Sequence, residues 1–463
     1  MPSLNVIGDL LKVAPNRCCR YIAQNGVDNM RMKIRIIMIL TAIMATMVMA
    51  ACESETTSTG GNGDIVIQVA SRFGSDIPDE IFFREQVNAF SALDNGITVE
   101  MINIPTESDY LNMLRTSFAN GDTPNVFIEY GGSRVVEYIE AGALVNMAPY
   151  FEANPDWYNI FYPAMFDELI FDGFDGIWGV PFQAYMVVMY YNTELFEEHG
   201  LAPPTTWDEM LEVSQVFLDA GVRPFQAGAR DAWRLGHLHT NIVLKSLGSD
   251  AITGLANRTI AYDSPEMLET FRLIYEMANR GFLGIDPLNT DYDTEKALFA
   301  AGEVAMRWDG TWFISEIFGT EIYDRTGVAP FPSINPEFAR VAQGGPSDMW
   351  FVSQLNKSDE EIAASIEFLK FIASSEYFAG NNEVASSLYP ARFTPTAATP
   401  DNPLLDQVNV ILGNMESLRP DLQNHDPEPH MLDTVRNSLQ GLLMGSSPES
   451  VARDIISQMQ NPN

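Results

Sequence analysis

Three side chains stand where a strand-like run gives way to a loop, and their types suit recognition chemistry. Tyr130 closes the apolar run 125–130, with Glu129 before it and Gly131-Gly132 after it. Arg72 follows the apolar run 64–70. A ring stacks on flat C–H faces, and a guanidinium or carboxylate makes paired hydrogen bonds. In an open α/β sheet such groups converge just beyond the carboxyl ends of strands. The two glycines would let a bound molecule come close to the backbone. Tyr185, between the β-rich runs 180–182 and 187–191, and Trp350, downstream of Gly344-Gly345, extend the candidate set.

Catalytic chemistry has no comparable signal. The chain lacks HExxH, GxxxxGK[ST] and GxSxG. His199, His237, His239, His425 and His430 form no ligand pattern, and His237 and His239 would point to different helix faces. Neither a metal nor a cofactor is therefore expected. With 62 Asp and Glu, chance acid pairs are certain, so counting does not decide against a glycosidase-like pair.

The elements that hold these residues follow from periodicity. Strands at 64–70, 97–104 and 125–130 alternate with helices at 79–93, 108–119 and 134–140. That βα order predicts an open, mostly parallel sheet with helices on both faces. The stretch 177–192 follows, then a helix at 207–220 whose Thr206 and Glu209 have capping-box spacing. Helices are expected at 233–247, 265–280 and 293–301, and a strand with a sharp turn at 302–312. Short extended pieces follow at 224–227, 327–332 and 349–354. The remainder reads as helices at 359–373 (capped by Ser358 and Glu361), 376–387, 402–415, 428–444 and 449–460. Trp157, Trp178 and Trp207 read as packing residues.

At 463 residues and 46% hydrophobic content the chain can build two or three cores. Its net charge of −35 would repel a phosphate backbone, which argues against a nucleic-acid partner. The amino-terminal end differs in kind. Lys12, Arg17, Arg20, Arg31, Lys33 and Arg35 face only Asp9 and Asp28 there, and the apolar run 36–51 follows. Next come Cys52 and a polar tract to Gly63. This is the layout of an export signal. Met49-Ala50-Ala51-Cys52 resembles a lipobox, so Cys52 is the expected lipidation site and 52–63 a flexible tether. The extension 1–29 is foreign to such a signal and points to a start at Met30 or Met32. A retained membrane helix is the alternative for 36–51, but sixteen or so residues are short of the ~20 a span needs.

Four stretches carry a family resemblance: Gly179–Asn192 with 204–210, Phe299–Trp312, 327–332, and Ser358 with 363–371. In this order they resemble the extracellular solute-binding proteins of ABC importers, in the sugar-binding family that includes maltose-binding protein. The resemblance covers about 64–463. It implies a periplasmic-binding-protein-like, two-lobed α/β clamshell, each lobe a mostly parallel sheet flanked by helices, with three interlobe crossings. Lobe 1 would be 64–183 plus 326–374, and lobe 2 184–325 plus 375–463, the first crossing falling at Gln183–Met186. Ligand would lie between the lobes and closure would present a surface to permease subunits.

The same resemblance implies Asp231, Trp233, Asp309 and Trp312 as further ligand contacts beside Arg72, Glu129, Tyr130, Tyr185 and Trp350. It implies a carbohydrate ligand, membrane attachment by lipid alone, and a monomer. The chain departs from the pattern at Pro429-His430-Met431-Leu432-Asp433, where the maltose protein has an aromatic residue, which weakens the case for maltodextrin. A lipid-anchored carbohydrate-active enzyme and a ligand-presenting sensor for a membrane receptor are the alternative readings.

Overall fold

The computed structural model describes residues 64–460 except Asp172, Ser386 and Pro429. The expected signal at 1–51 and the lipidation site Cys52 lie outside the described residues. Among the described residues no helix is long and apolar enough to cross a membrane.

The first sheet contains β1 (Ile65–Ser71), β2 (Ile97–Asn103), β3 (Val126–Glu129), β4 (Val180–Pro181) and β9 (Met349–Val352) in the order β2-β1-β3-β9-β4. The first three strands run parallel, as their βα order requires, and β9 is antiparallel to both its neighbours. Helices α1 (Pro78–Ser91) and α2 (Glu107–Asn120) connect them. Tyr110 anchors α2 from inside, its Oη lying 3.1 Å from the Ala70 carbonyl and 2.8 Å from that of Ile128. Helix α3 (Ser133–Glu140) follows β3.

The second sheet is built on β5 (Ala184–Asn192), whose run Ala-Tyr-Met-Val-Val-Met-Tyr-Tyr-Asn is buried along nearly its whole length. Its side chains alternate between two cores. Tyr185, Val187 and Met189 join α4 (Trp207–Asp219) and α5 (Trp233–Leu247) on one face. Met186, Val188 and Tyr190 meet Phe299, Phe313 and Val408 on the other. The alternation is the two-residue period of a strand buried on both sides.

β5 runs antiparallel to β6 (Met306–Gly310), β7 (Thr326–Ala329) and β8 (Val341–Pro346), and only β10 (Ser417–Arg419) is parallel to its neighbour β8. The mostly parallel order expected here is thus corrected. A continuous apolar run signals burial on both faces and leaves strand direction open. The expected strand at 224–227 is absent; Phe225 and Ala227 instead donate to the carbonyls of Phe282 and Leu283.

The chain passes from the first sheet to the second at Phe182–Gln183 and returns at Ser347–Asp348. β7 and β8, expected with the first lobe from 326 onward, are bonded into the second sheet. Helices α8 (Asp359–Ile372) and α9 (Ser375–Val384) pack on the first lobe, and Tyr377 and Phe378 of α9 lie in its core. Helix α10 (Pro403–Gly413) packs on β7. Between α5 and these elements lie α6 (Tyr292–Ala300) and α7 (Trp312–Ile317). Helix α11 (His430–Leu443) packs on α5. Both capping boxes form, Thr206 with Glu209 and Ser358 with Glu361.

Trp350 lies at the centre of the first core, fully buried, stacked on Phe83 at 5.5 Å and flanked by Phe182 and Phe73 at 5.3 and 6.2 Å. Its expected role as a ligand contact is corrected accordingly: both neighbours of β9 are strands, and no face of the ring reaches solvent. Trp350→Ala should cost about 3–5 kcal/mol, the usual loss for a buried large aromatic. Chemical denaturation reads this directly, and an unchanged midpoint would contradict the packing described.

Candidate functional site

An aromatic wall forms where β5, α5, α6 and α7 meet. Trp233 opens α5 and His237 lies one turn on, so both share a face. Their rings are 5.0 Å apart. Tyr292, the first residue of α6, packs 4.9 Å from Trp233. Trp312, the first residue of α7, sits 5.7 Å from Tyr185 and 5.9 Å from His237. Trp233 and Trp312 are both half-buried, so each keeps part of a face open. Gly310 makes room for this arrangement, because a Cβ there would collide with the Trp312 ring.

The wall is mounted on buried charge. Trp312 Nε1 donates to Tyr292 Oη at 2.9 Å, and Tyr292 Oη donates to Asp309 Oδ2 at 3.0 Å. Asp309 is fully buried and pairs with Arg307 and, at 3.2 Å, with Arg234. Arg234, also fully buried, pairs with Glu295 at 2.5 Å and lies 5.0 Å from the Trp233 ring. Two guanidinium groups thus neutralise two carboxylates in the interior, as buried ions require. Asp309 was expected to touch ligand; its oxygens are occupied, and it fixes the rings that line the site. Asp231 has a similar office, accepting from the Tyr292 amide at 2.8 Å.

Below the rings lies a polar floor that sequence reasoning missed. Asp421 accepts from Thr240 Oγ1 at 2.9 Å and Arg436 at 2.7 Å, and His237 Nε2 is 3.6 Å away. Burial works to raise the Asp421 carboxyl, but Arg436 and His237 hold it below the usual range. Asn241 donates to Gln343 Oε1 at 2.6 Å. Among the described residues, five buried polar atoms here have no partner: His237 Nδ1, Asn241 Oδ1, Gln343 Nε2, Gln423 Oε1 and Arg436 Nε. Such atoms are costly in a folded interior unless something completes them. The only sequence signal for this floor is His237 at i+4 from Trp233; Asp421 and Gln423 come from the short turn Leu422–His425 and the residue before it, which carry no pattern.

The first lobe brings Arg72, Glu129 and Tyr130 together. The Arg72 guanidinium lies 4.2 Å over the Tyr130 ring and is paired with Asp348. Burial pushes the Asp348 carboxyl up to about 7, while the close Arg72 cation works in the opposite direction. The contact geometry is that of an ion pair, which favours the ionised form. Glu129 is buried, accepts from the Tyr130 amide at 2.9 Å and stands 3.5 Å from Arg134. Through Oε1 it fixes the Tyr130 backbone and faces Arg134, and it lies almost wholly inside the first lobe.

Gly131 and Gly132 have φ of 73° and 64°, which side chains rarely adopt. Their neighbour is protein: a Cβ on Gly131 would lie 2.8 Å from the Glu168 carbonyl, and one on Gly132 2.6 Å from that of Asn424. Ser133 donates to the same Asn424 carbonyl at 2.9 Å, and His425 Nε2 is 3.2 Å from Glu168 Oε1. Gly131 therefore admits backbone of its own lobe and Gly132 that of the second, where close approach by a bound molecule was expected.

Comparison with known proteins adds the following. A model of the bacterial extracellular solute-binding protein family matches residues 75–377. The multiple sugar-binding protein of Streptococcus mutans is 22% identical over 300 residues, 62% of this chain and 67% of that one. A solved chitin oligosaccharide binding protein superposes with a TM-score of 0.77 at 20% identity, covering 85% of this chain and 98% of its own. A solute-binding protein solved in complex with raffinose gives 0.70 at 19%, covering 85% and 98%. These structural likenesses establish the fold, a two-lobed α/β clamshell of the periplasmic-binding-protein kind.

His237 gives a pH test. Burial holds its imidazole down at about 4, with the Arg234 and Arg436 cations pushing the same way against the pull of Asp421. Burial likewise holds His239 at about 3. Unfolded histidine takes its proton near 6.5. Both groups therefore stabilise the fold fully above pH 6.5, and that contribution is lost as pH falls toward 4, by up to about 3 kcal/mol for His237. His237→Gln should flatten the fall in melting temperature between pH 6.5 and 4, and His239→Phe should flatten it further. A double variant with the wild-type slope would assign the acid sensitivity elsewhere.

Proposed function

The chain belongs to the bacterial extracellular solute-binding protein family, and from that premise we propose that it captures a sugar or oligosaccharide between its lobes for an ABC importer. One observation carries the ligand class: the half-buried Trp233 and Trp312 rings and the buried Tyr185 ring pack around His237, which belongs to a floor of unpartnered buried polar atoms. Rings cover the flat C–H faces of a pyranose, and donors and acceptors beside them meet its hydroxyl edges. The named ligands of the similar proteins, chitin oligosaccharide and raffinose, are of this class. The residues assigned to contact are Tyr185, Trp233, His237, Trp312, Gln343 and Gln423 from the second lobe, with Arg72 and Tyr130 from the first.

The lobe limits we propose are 64–182 plus 348–391, and 183–347 plus 403–460, following sheet and core membership. Delivery to permease subunits, attachment through a lipid on Cys52, a monomeric state and the absence of turnover complete the proposal. The lipobox-like Met49–Cys52 supports the anchor, and binding-protein membership supports the rest.

A thermal-shift panel of mono- and oligosaccharides decides the ligand class. At a hundred dissociation constants a bound ligand adds about 2.7 kcal/mol of stability, which raises the melting temperature measurably. At least one carbohydrate should do so. Trp312→Ala should weaken that ligand by roughly tenfold or more, since a stacked ring contributes on the order of 1 kcal/mol beyond the area it covers. Amino acids or metal ions shifting the transition while no carbohydrate does would remove the sugar assignment.

A further inference from the structure

A second site lies in the first lobe, beside the passage at Phe182–Gln183. It is a cavity of about 20 Å³ lined by Phe73, Phe182, Tyr377, Tyr389, Asp79 and Glu80 among others. That volume admits one group the size of a water molecule. The rings surround it closely, Phe182 lying 5.9 Å from Phe73 and 5.5 Å from Tyr377. Gln183 lines it as well, two residues before Tyr185 of the aromatic wall. Helix α7, which begins with Trp312, packs against α1, which carries Asp79 and Glu80 in its first turn.

Two carboxyls meet in this cavity with no cation beside Asp79. Among the described residues, Asp79 Oδ1 is buried and has no hydrogen-bond partner. Glu80 accepts from the Ser75 amide and has Arg84 at 3.9 Å. Arg84 faces the other way: it donates to the carbonyls of Phe73 and Ser75 at 3.1 and 2.7 Å, and it stands 3.5 Å from Asp76. Among the described residues, no Lys or Arg comes within ion-pairing distance of Asp79. Burial pushes both carboxyls up, Glu80 to about 7, against the pull of nearby backbone amides.

A water molecule or a sugar hydroxyl would complete the hydrogen bond and leave the acids protonated, and an apolar group would leave the oxygen unmet. A cation satisfies the carboxylate and is attracted to ring faces as well, by the quadrupole of each ring. A primary ammonium has the size, the donors and the charge. We propose that this cavity receives the protonated amine of the ligand, so that the saccharide bound next to it is an amino sugar. The inference rests on the sugar reading above for the saccharide, and on this cavity alone for the amine.

The test uses the full-length protein at pH 6, where a sugar amine is charged. Glucosamine, galactosamine and the glucosamine disaccharide are compared by calorimetry and thermal shift with glucose, galactose, cellobiose and the N-acetylated forms. Ethylammonium serves as a probe without a sugar. An amine-bearing sugar should bind at least tenfold more tightly than its hydroxyl parent, and Asp79→Asn should reduce that preference to threefold or less while sparing the parent. Should that variant fail to fold, Tyr377→Leu tests the ring wall in the same way. If neutral parents bind as tightly as amines, or if Asp79→Asn leaves the preference intact, the proposal is overturned. If no saccharide binds but ethylammonium stabilises wild type and not Asp79→Asn, the cavity stands and the sugar reading falls. If ethylammonium and the saccharides all fail to distinguish the two proteins, the amine site falls.

Discussion

Two of the chain passages between the sheets, at Phe182–Gln183 and Ser347–Asp348, are bonded to one another, and much of the remaining geometry depends on that pairing. The amides of Phe182 and Gln183 both donate to the Asp348 carbonyl, at 3.1 and 3.0 Å, and the Ser347 amide donates to the Gln183 carbonyl at 2.9 Å. Neither passage can change its dihedrals alone without breaking these bonds. A change at one of these passages therefore requires a change at the other, as paired hinge segments behave. Asp348 also holds Arg72, which lies over Tyr130. The same residue thus ties the hinge to the ring that the first lobe presents.

The second lobe solves a different problem, holding large rings at an open edge. Rings left only to apolar packing could turn, and an exposed tryptophan with a free χ2 makes a poor platform. Here the hydrogen-bond chain from Trp312 through Tyr292 to Asp309 sets one ring, and Arg234 beneath Trp233 sets another. Burying four ions is costly, and the cost is tolerable because Arg234, Arg307, Glu295 and Asp309 balance one another at close range. Removing any one would leave its partner charged and unpaired, so the wall and the core of this lobe stand or fall together.

Elements were readable where local chemistry decides them. The βα order of 64–140 and the caps Thr206 and Ser358 follow from spacing alone, and the structure reproduces them. What failed was what distant partners decide. The run Val341-Ala-Gln-Gly-Gly-Pro346 carries two glycines and a proline, so it does not read as a strand, yet β5 and β10 pair with it. Trp350 and Trp312 look alike beside glycines, and only the sheet neighbours show that one is core and the other wall. Asp309 was implied as a ligand contact by the family resemblance, whereas its partner Arg234 comes from 75 residues away and takes up its carboxylate. The polar floor was invisible for the same reason: His237, Gln343, Asp421 and Gln423 meet only through folding.

The lobes meet through backbone as much as through side chains. Gly132 and Ser133 receive the Asn424 carbonyl, and Glu168 faces His425. Both of these second-lobe partners come from Leu422–His425, the turn that follows directly on Asp421 of the polar floor. A ligand that draws on Asp421 or Gln423 would act on the segment that touches the first lobe. Occupancy and closure are then coupled by covalent continuity over a few residues, with no longer path through the core. Gly132 makes that contact possible: a Cβ there would lie 2.6 Å from the Asn424 carbonyl and push the turn away from the first lobe.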